Sequence, residues 1–267
     1  MRGLFTAGVL DVMMERGIRV DGVVGVSAGA CFGCNYVSEQ PGRVLRYNLR
    51  LKDDPRYMGI RCLLKTGNLL GAEYAYHTLP DILDPFDKET FARSEVEFHV
   101  VCTDVLTGRA VYRHLAAPVD YDFMEWIRAS SALPIVSRPV SVGGYLLLDG
   151  GMADSIPLKY FQQQGFEKNI VILTQPLGFR KKRTKLMPLF RTLMRRYPAI
   201  ISDMEHRHEM YNAQLDYLAH QQAEGKVIII APDDTLPIGR TQQDGKRIQL
   251  VYDMGRKAAE GLKKIII

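Results

Sequence analysis

The chain has 267 residues, 46% of them hydrophobic and 24% charged, with a net charge of +5 from 35 Lys and Arg against 30 Asp and Glu. That make-up belongs to an ordinary globular protein with a sizeable core and excludes disordered and fibrous classes. No Pro/Gly/Ser-rich tract divides the chain, so a single domain over 1–267 is expected. Cys31, Cys34, Cys62 and Cys102 are too few for a disulfide scaffold in a chain this long, and the opening residues show no signal-peptide pattern. Apolar runs fall far short of the roughly 20 residues needed to span a bilayer. The expected setting is the cytoplasm, with any lipid contact peripheral. The modest positive excess suits a phospholipid surface as well as it suits RNA.

Leu4 to Arg16 carries apolar residues at helical spacing, leaving Asp11, Glu15 and Arg16 for the other side, and Gly17 ends the helix. Val23 to Val26 is a short buried-strand run that breaks at Gly25-Val26-Ser27-Ala28-Gly29 into a small-residue segment able to start a helix. This is the context of a nucleophile elbow. The turn is so sharp that residues two before and two after the serine must lack bulk, which Gly25 and Gly29 satisfy. Ser27 then stands at the tip, with the new helix aiming unpaired N–H groups at any oxyanion formed there. The plainer alternative is a Gly-rich βα turn. Cys31 and Cys34 fall at CxxC spacing with no second Cys/His pair nearby, and read as small buried side chains.

Residues 40–85, broken by Pro41, Pro55, Pro80 and Pro85, read as a cap or insertion. Glu97 to Asp104 and Arg109 to Arg113 read as strands joined by Leu106-Thr107-Gly108. His99, alternating with apolar neighbours, reads as a satisfied strand histidine. Met124 to Leu133 is a short helix stopped by Pro134, ending in Ala129-Ser130-Ser131-Ala132, which lines a pocket or packs tightly. Val140 to Leu148 gives a hairpin about Gly143-Gly144 and terminates in Asp149-Gly150-Gly151. A carboxylate at the end of a buried strand is well placed for chemistry, since open α/β sheets build their sites at carboxyl ends; an Asp that merely begins a turn is the alternative. Asn169 to Thr174 and Lys226 to Ala231 are continuous apolar strands, as expected where helices cover both faces. Between them, Phe179 to Arg196 sets Leu186, Leu189, Phe190, Leu193, Met194 and Tyr197 opposite a row of Arg and Lys. Its apolar face reads as packed on the core, with a lipid-facing amphipathic helix as the alternative. Asp203 to Ala223 is a longer helix holding His206, His208 and His220.

With Ser27 in an elbow and Asp149-Gly150-Gly151 downstream, the chain resembles the patatin-like phospholipases, in particular their small bacterial members. The resemblance runs nearly end to end. It includes Leu64-Lys65-Thr66-Gly67-Asn68-Leu69, Pro85-Phe86-Asp87, Thr103-Asp104-Val105-Leu106-Thr107-Gly108, Ala129-Ser130-Ser131-Ala132-Leu133-Pro134, Asp154-Ser155-Ile156-Pro157 and the His206-Arg207-His208 neighbourhood. It implies a three-layer α/β/α fold with a mostly parallel central sheet, and a Ser/Asp dyad with Ser27 as nucleophile and Asp149 as base. It implies no metal or organic cofactor. The expected substrate is a phospholipid or lysophospholipid ester, with a peripheral membrane surface as a further partner and no nucleic acid. In the family, a strand precedes a Gly-Gly-Gly-x-Arg/Lys-Gly loop that forms the oxyanion hole. Met1, Arg2 and Gly3 match only its last three places, so Arg2 and Gly3 are the expected remnant, and the strand and leading glycines are expected upstream of Met1 in a longer natural chain. Two rivals stand beside this reading: a Ser-His-Asp esterase using His206, His208 or His220, and a non-catalytic lipid-binding protein.

Overall fold

The computed structural model describes residues 1–239 and 241–262. Helix α1 (Leu4–Glu15) leads into β1 (Gly22–Val26), α2 (Ala28–Val37), α3 (Arg43–Leu51), α4 (Ile60–Thr66), a π-helical stretch over Tyr74–Leu83, and α5 (Lys88–Arg93). Next come β2 (Glu97–Asp104), β3 (Ala110–His114), α6 (Tyr121–Ser130), β4 (Val140–Val142) and β5 (Tyr145–Asp149). The chain continues through α7 (Leu158–Gln163), β6 (Asn169–Ile172), α8 (Met187–Leu193), α9 (Pro198–Ala223), β7 (Val227–Ile230) and α10 (Gly245–Ala258).

The main sheet has five strands built around β2, which pairs with β1, β3 and β5, while β4 pairs with β5. Its layers follow from the two-residue period of β2. On one face, Phe98 packs on Phe91 of α5 and Phe123 of α6, and the Cys102 thiol meets the Trp126 carbonyl. On the other, His99 lies against Tyr160 and Phe161 of α7. Helices therefore cover both faces, as a three-layer α/β/α architecture requires.

The expectation of a mostly parallel sheet is corrected. Only β1 and β2 run parallel within the main sheet; β3, β5 and β4 are antiparallel to their neighbours. The cause is local. The β2–β3 connection turns at Gly108 with φ of 71°, and the β4–β5 connection turns at Gly143 and Gly144 with φ of 58° and 80°. Tight turns of this kind return the chain antiparallel, whereas parallel neighbours need a long crossover. The second parallel pair, β6 and β7, forms a separate two-stranded sheet and is only partly buried.

Two helices also differ from their sequence patterns. In α1 Glu15 and Arg16 are exposed as their spacing suggests, but Asp11 is not left to water: it is 2% exposed and its carboxylate accepts hydrogen bonds from Gly42 N–H at 2.8 Å and the Tyr252 hydroxyl at 2.6 Å. Close packing of α10 on α1 encloses it. A Cβ on Gly8 would sit 2.1 Å from the Tyr252 carbonyl oxygen, and one on Gly255 would sit 2.0 Å from that of Phe5. In α8 the apolar residues split between two faces. Met187, Phe190 and Met194 are buried, while Leu186, Leu189 and Leu193 are 58%, 46% and 54% exposed beside exposed Lys185, Arg195 and Arg196. The helix is thus apolar on two sides, and only one of them rests on the core.

Candidate active site

The end of β1 and the end of β5 meet on one flank of β2. Val26 stands opposite Val101, and Asp149 stands opposite the next residue, Cys102. Because β3 pairs with residues 99–103 of β2 on its other side, β1 and β5 share the remaining side end to end. Their carboxyl ends are therefore head to head, with Ser27 following one and Asp149 closing the other.

Ser27 has φ of 56° and ψ of −121°, a conformation costly for a residue with a Cβ and worth about 1–3 kcal/mol of strain. It persists because the surroundings over-determine it. A Cβ on Gly25 would lie 2.5 Å from the Ala30 amide nitrogen, so only glycine lets α2 return this closely over β1. Gly29 differs: nothing lies within 4 Å of where its Cβ would be, so the turn does not require it and the position faces the cavity instead. The Ser27 N–H donates to Ser130 Oγ at 3.0 Å, and that hydroxyl donates to the Val101 carbonyl at 2.7 Å. Ser130, fully buried at the end of α6, thereby ties the elbow to the centre of β2. The first amides of α2 have no acceptor within the helix and stand next to Ser27.

Asp149 is 2% exposed in ordinary extended backbone, φ −47° and ψ 126°. Its N–H donates to the Ala132 carbonyl at 2.9 Å, its carbonyl accepts from Thr103 Oγ1 at 2.9 Å, and its carboxylate Oδ1 accepts from the Gly151 N–H at 2.8 Å. A Cβ on Gly150 would fall 2.1 Å from the Val101 carbonyl oxygen, which explains the glycine directly after the carboxylate. Next to it, Arg207 Nε of α9 donates to the Gly151 carbonyl at 2.6 Å.

Ser27, Asp149, Arg2, Gly3, Gly25, Gly29 and Gly151 all line one cavity of about 750 Å³, which runs between residues 20–29 and 165–175. Gly3 is pressed against α2, since a Cβ there would come within 2.7 Å of the Ala28 Cβ. Consecutive residues of both β1 and β6 border this space, so it is the hydrogen-bonding edge of each strand, not a face, that looks into it. Arg2, Arg207 and Lys181 gather at the same rim around Tyr211, with Lys181 Nζ 4.4 Å from its ring centre. A second cavity, of about 180 Å³, also opens at Ser27 and runs between α2, α3, the π-helical stretch and α6. It is mostly apolar, lined by Leu70, Leu79, Pro80 and Met124 among others, with Arg43, Asn48, Tyr76 and Ser131 among its polar members.

None of the six histidines lines either cavity among the described residues. His206 hydrogen-bonds Ser202 on its own helix, and His220 is exposed beside Glu224. Cys34 is buried, its thiol pushed up to about 12 by desolvation, and Cys31 is raised for the same reason, so neither is a thiolate. Arg207 and most of the second cavity's lining are what sequence reasoning missed, while of the Ser130-Ser131 pair, Ser131 lines that cavity and Ser130 anchors the elbow. The signal for Arg207 is faint, since it is a lone arginine between His206 and His208 on a polar helix.

The fold and this site together define an α/β protein that sets a strained serine at a strand-to-helix elbow against a buried carboxylate at a neighbouring strand end. Family comparison narrows the class. The model for "Patatin-like phospholipase" matches residues 1–161, and a "Domain of unknown function (DUF6363)" matches residues 197–264. The chain belongs to the patatin-like phospholipase family. It is 32% identical over 180 residues to the "Uncharacterized protein YjjU" of Escherichia coli K12, covering 66% of this chain and 49% of that one. It is 31% identical over 160 residues to an "Uncharacterized NTE family protein" of Mycobacterium bovis and one of Mycobacterium tuberculosis, covering 59% of this chain and 41% of theirs. The chain thus spans about half the length of these curated relatives.

Proposed function

We propose that the chain is a serine acyl-ester hydrolase acting on phospholipid or lysophospholipid through a Ser27/Asp149 dyad. The observation that carries this reading is the head-to-head meeting of the β1 and β5 ends in one cavity. A carboxylate is a poor base in water, with a reference pKa near 3.9, and becomes useful when desolvated and held in place. Asp149 takes the Ser27 hydroxyl proton as Oγ attacks the ester carbonyl. The tetrahedral oxyanion is met by the amides at the start of α2 and by the Gly3 segment. Collapse expels the alcohol, which receives the proton, and leaves an acyl-enzyme. Water then attacks, Asp149 again taking the proton, and the fatty acid departs.

Two cavities meeting at the nucleophile suit a substrate with two unlike ends. The 180 Å³ apolar cavity takes the acyl chain; a dry cavity of about 150 Å³ already accommodates benzene. The larger cavity, with Arg2, Arg207 and Lys181 at its rim, takes a phosphate-bearing headgroup. The outward leucines of α8 and their basic neighbours offer the membrane contact: apolar side chains entering the interface and cations meeting anionic lipid. No helix of the described residues is long and apolar enough to cross a membrane.

The test is fluorophosphonate labelling of the purified chain with the adduct mapped by mass. A single adduct on Ser27, lost in Ser27→Ala, is expected. Absence of any adduct, with binding to phospholipid vesicles retained, would favour a non-catalytic lipid-binding protein.

A further inference from the structure

We propose that Glu97, His99 and His114 form a zinc(II) site that fastens the edge strand β3 to β2, at a corner of the sheet separate from Ser27. The placement follows from strand geometry. Residues two apart on a strand share a face, so Glu97 and His99 project together, and the register sets His99 directly across from His114. Their ligating atoms all lie within 4.8 Å of one another. His99 Nε2 is 3.0 Å from Glu97 Oε2, and the His99 and His114 rings are stacked with centres 4.9 Å apart.

A tetrahedral zinc ion with bonds of about 2.0–2.1 Å needs its donors roughly 3.3–3.5 Å apart, so small movements suffice. Glu97 and His114 are exposed and turn without repacking the core, whereas His99 is 4% exposed and fixed. What fixes it is the arrangement expected around a metal-ligating histidine. Its other ring nitrogen, Nδ1, is 2.9 Å from the Tyr160 hydroxyl. Tyr160 is in turn stacked on Tyr112 at 3.8 Å, and the Tyr112 hydroxyl donates to buried Asp154 at 2.7 Å. Such outer partners set the tautomer and orientation of the ligand ring. Two imidazoles and one carboxylate suit zinc and neighbouring first-row ions, while magnesium and calcium prefer oxygen donors throughout. Water completes the fourth position. The site takes no part in the dyad chemistry, which needs no metal.

The experiment strips the full chain with chelator, dialyses it against zinc chloride and counts bound metal. One zinc per chain, with a rise in the thermal midpoint, is expected. His114→Ala and Glu97→Gln, both surface changes that leave the core intact, should each weaken zinc binding by at least ~10-fold and abolish the thermal shift. Tyr160→Phe keeps all three ligands and the stacking on Tyr112, and should weaken binding by about 10–100-fold. Cobalt(II) in place of zinc should give the visible bands of a tetrahedral site in the wild-type chain and not in His114→Ala. Failure of the wild-type chain to retain zinc, or binding by His114→Ala as tight as wild type, would overturn the proposal. Fluorophosphonate labelling of Ser27 should be the same with and without zinc; dependence on zinc would overturn the separation from the reacting atoms.

Discussion

The two strand ends that meet beside β2 are held by opposite means. Ser27 sits in strained backbone, half exposed, and its position comes from sterics: a glycine that permits the close return of α2 and a buried hydroxyl that anchors its amide. Asp149 sits in relaxed backbone, buried, with its amide, its carbonyl and one carboxylate oxygen each hydrogen-bonded. In the proposed dyad the nucleophile must be reachable and so cannot be enclosed by partners; strain replaces them. The proposed base must be kept from water and gains its fixed position from hydrogen bonds.

The broadest way to break this comparison is to remove one end at a time. Ser27→Ala and Asp149→Asn should each lower ester turnover by about 10⁴ or more, with the double variant little worse than either, because the pair acts as a unit. Additive losses would mean that the two ends work separately.

A sharper test uses the glycines. Gly25→Ala forces a Cβ into the Ala30 backbone and should destabilise the chain by more than about 3 kcal/mol, or prevent folding, since a strained elbow has no slack. Gly29→Ala meets no protein atom and should keep the wild-type thermal midpoint while changing KM. Equal effects on folding would show that strain is not what sets Ser27.

Ser130→Ala removes the tie between the elbow and Val101, leaving a buried carbonyl and amide without that partner. A loss of about 1–3 kcal/mol in urea unfolding and a roughly tenfold slower labelling of Ser27 are expected. Wild-type labelling would assign the anchoring to α2 alone.

The smallest effect lies at Asp203 of α9, which packs against the Gly108 turn. Burial raises its carboxyl to about 6, with nearby His206 pulling it back down, and Oδ2 has no hydrogen-bond partner among the described residues. A raised folded-state pKa contributes stability below the unfolded value near 3.8, and that contribution is lost as pH rises through about 6. Asp203→Asn should therefore match wild type near pH 4 and exceed it above pH 6, by on the order of 1 kcal/mol once solvent screening is allowed for. A gain at pH 4 instead would reverse the sign.

The elbow at Ser27 and the strand end at Asp149 were legible because both obey local rules: a strand run, a turn residue and a small-residue neighbourhood sit within a few positions of each. Their head-to-head meeting was not legible, since it depends on β1 and β5 sharing one side of β2, a matter of register between segments far apart in sequence. Strand direction failed for a related reason. The apolar runs of β6 and β7 looked like a fully covered parallel sheet, but runs report burial, not neighbours, and the hairpins at Gly108 and Gly143-Gly144 decided direction elsewhere. In α8, helical spacing identified apolar residues correctly and could not say which of two apolar sides the core would take.

The cleft between β1 and β6 has a further consequence for water. Among the described residues β1 pairs only with β2, so alternate amides of the strand that leads into Ser27 point into open space. Those protons should exchange for deuterium through small local breathing, while their neighbours bonded to β2 should wait for near-global opening. A single five-residue strand would then show fast and slow exchange in alternation, and an occupant of the cleft that pairs with the open edge would convert the fast set to slow.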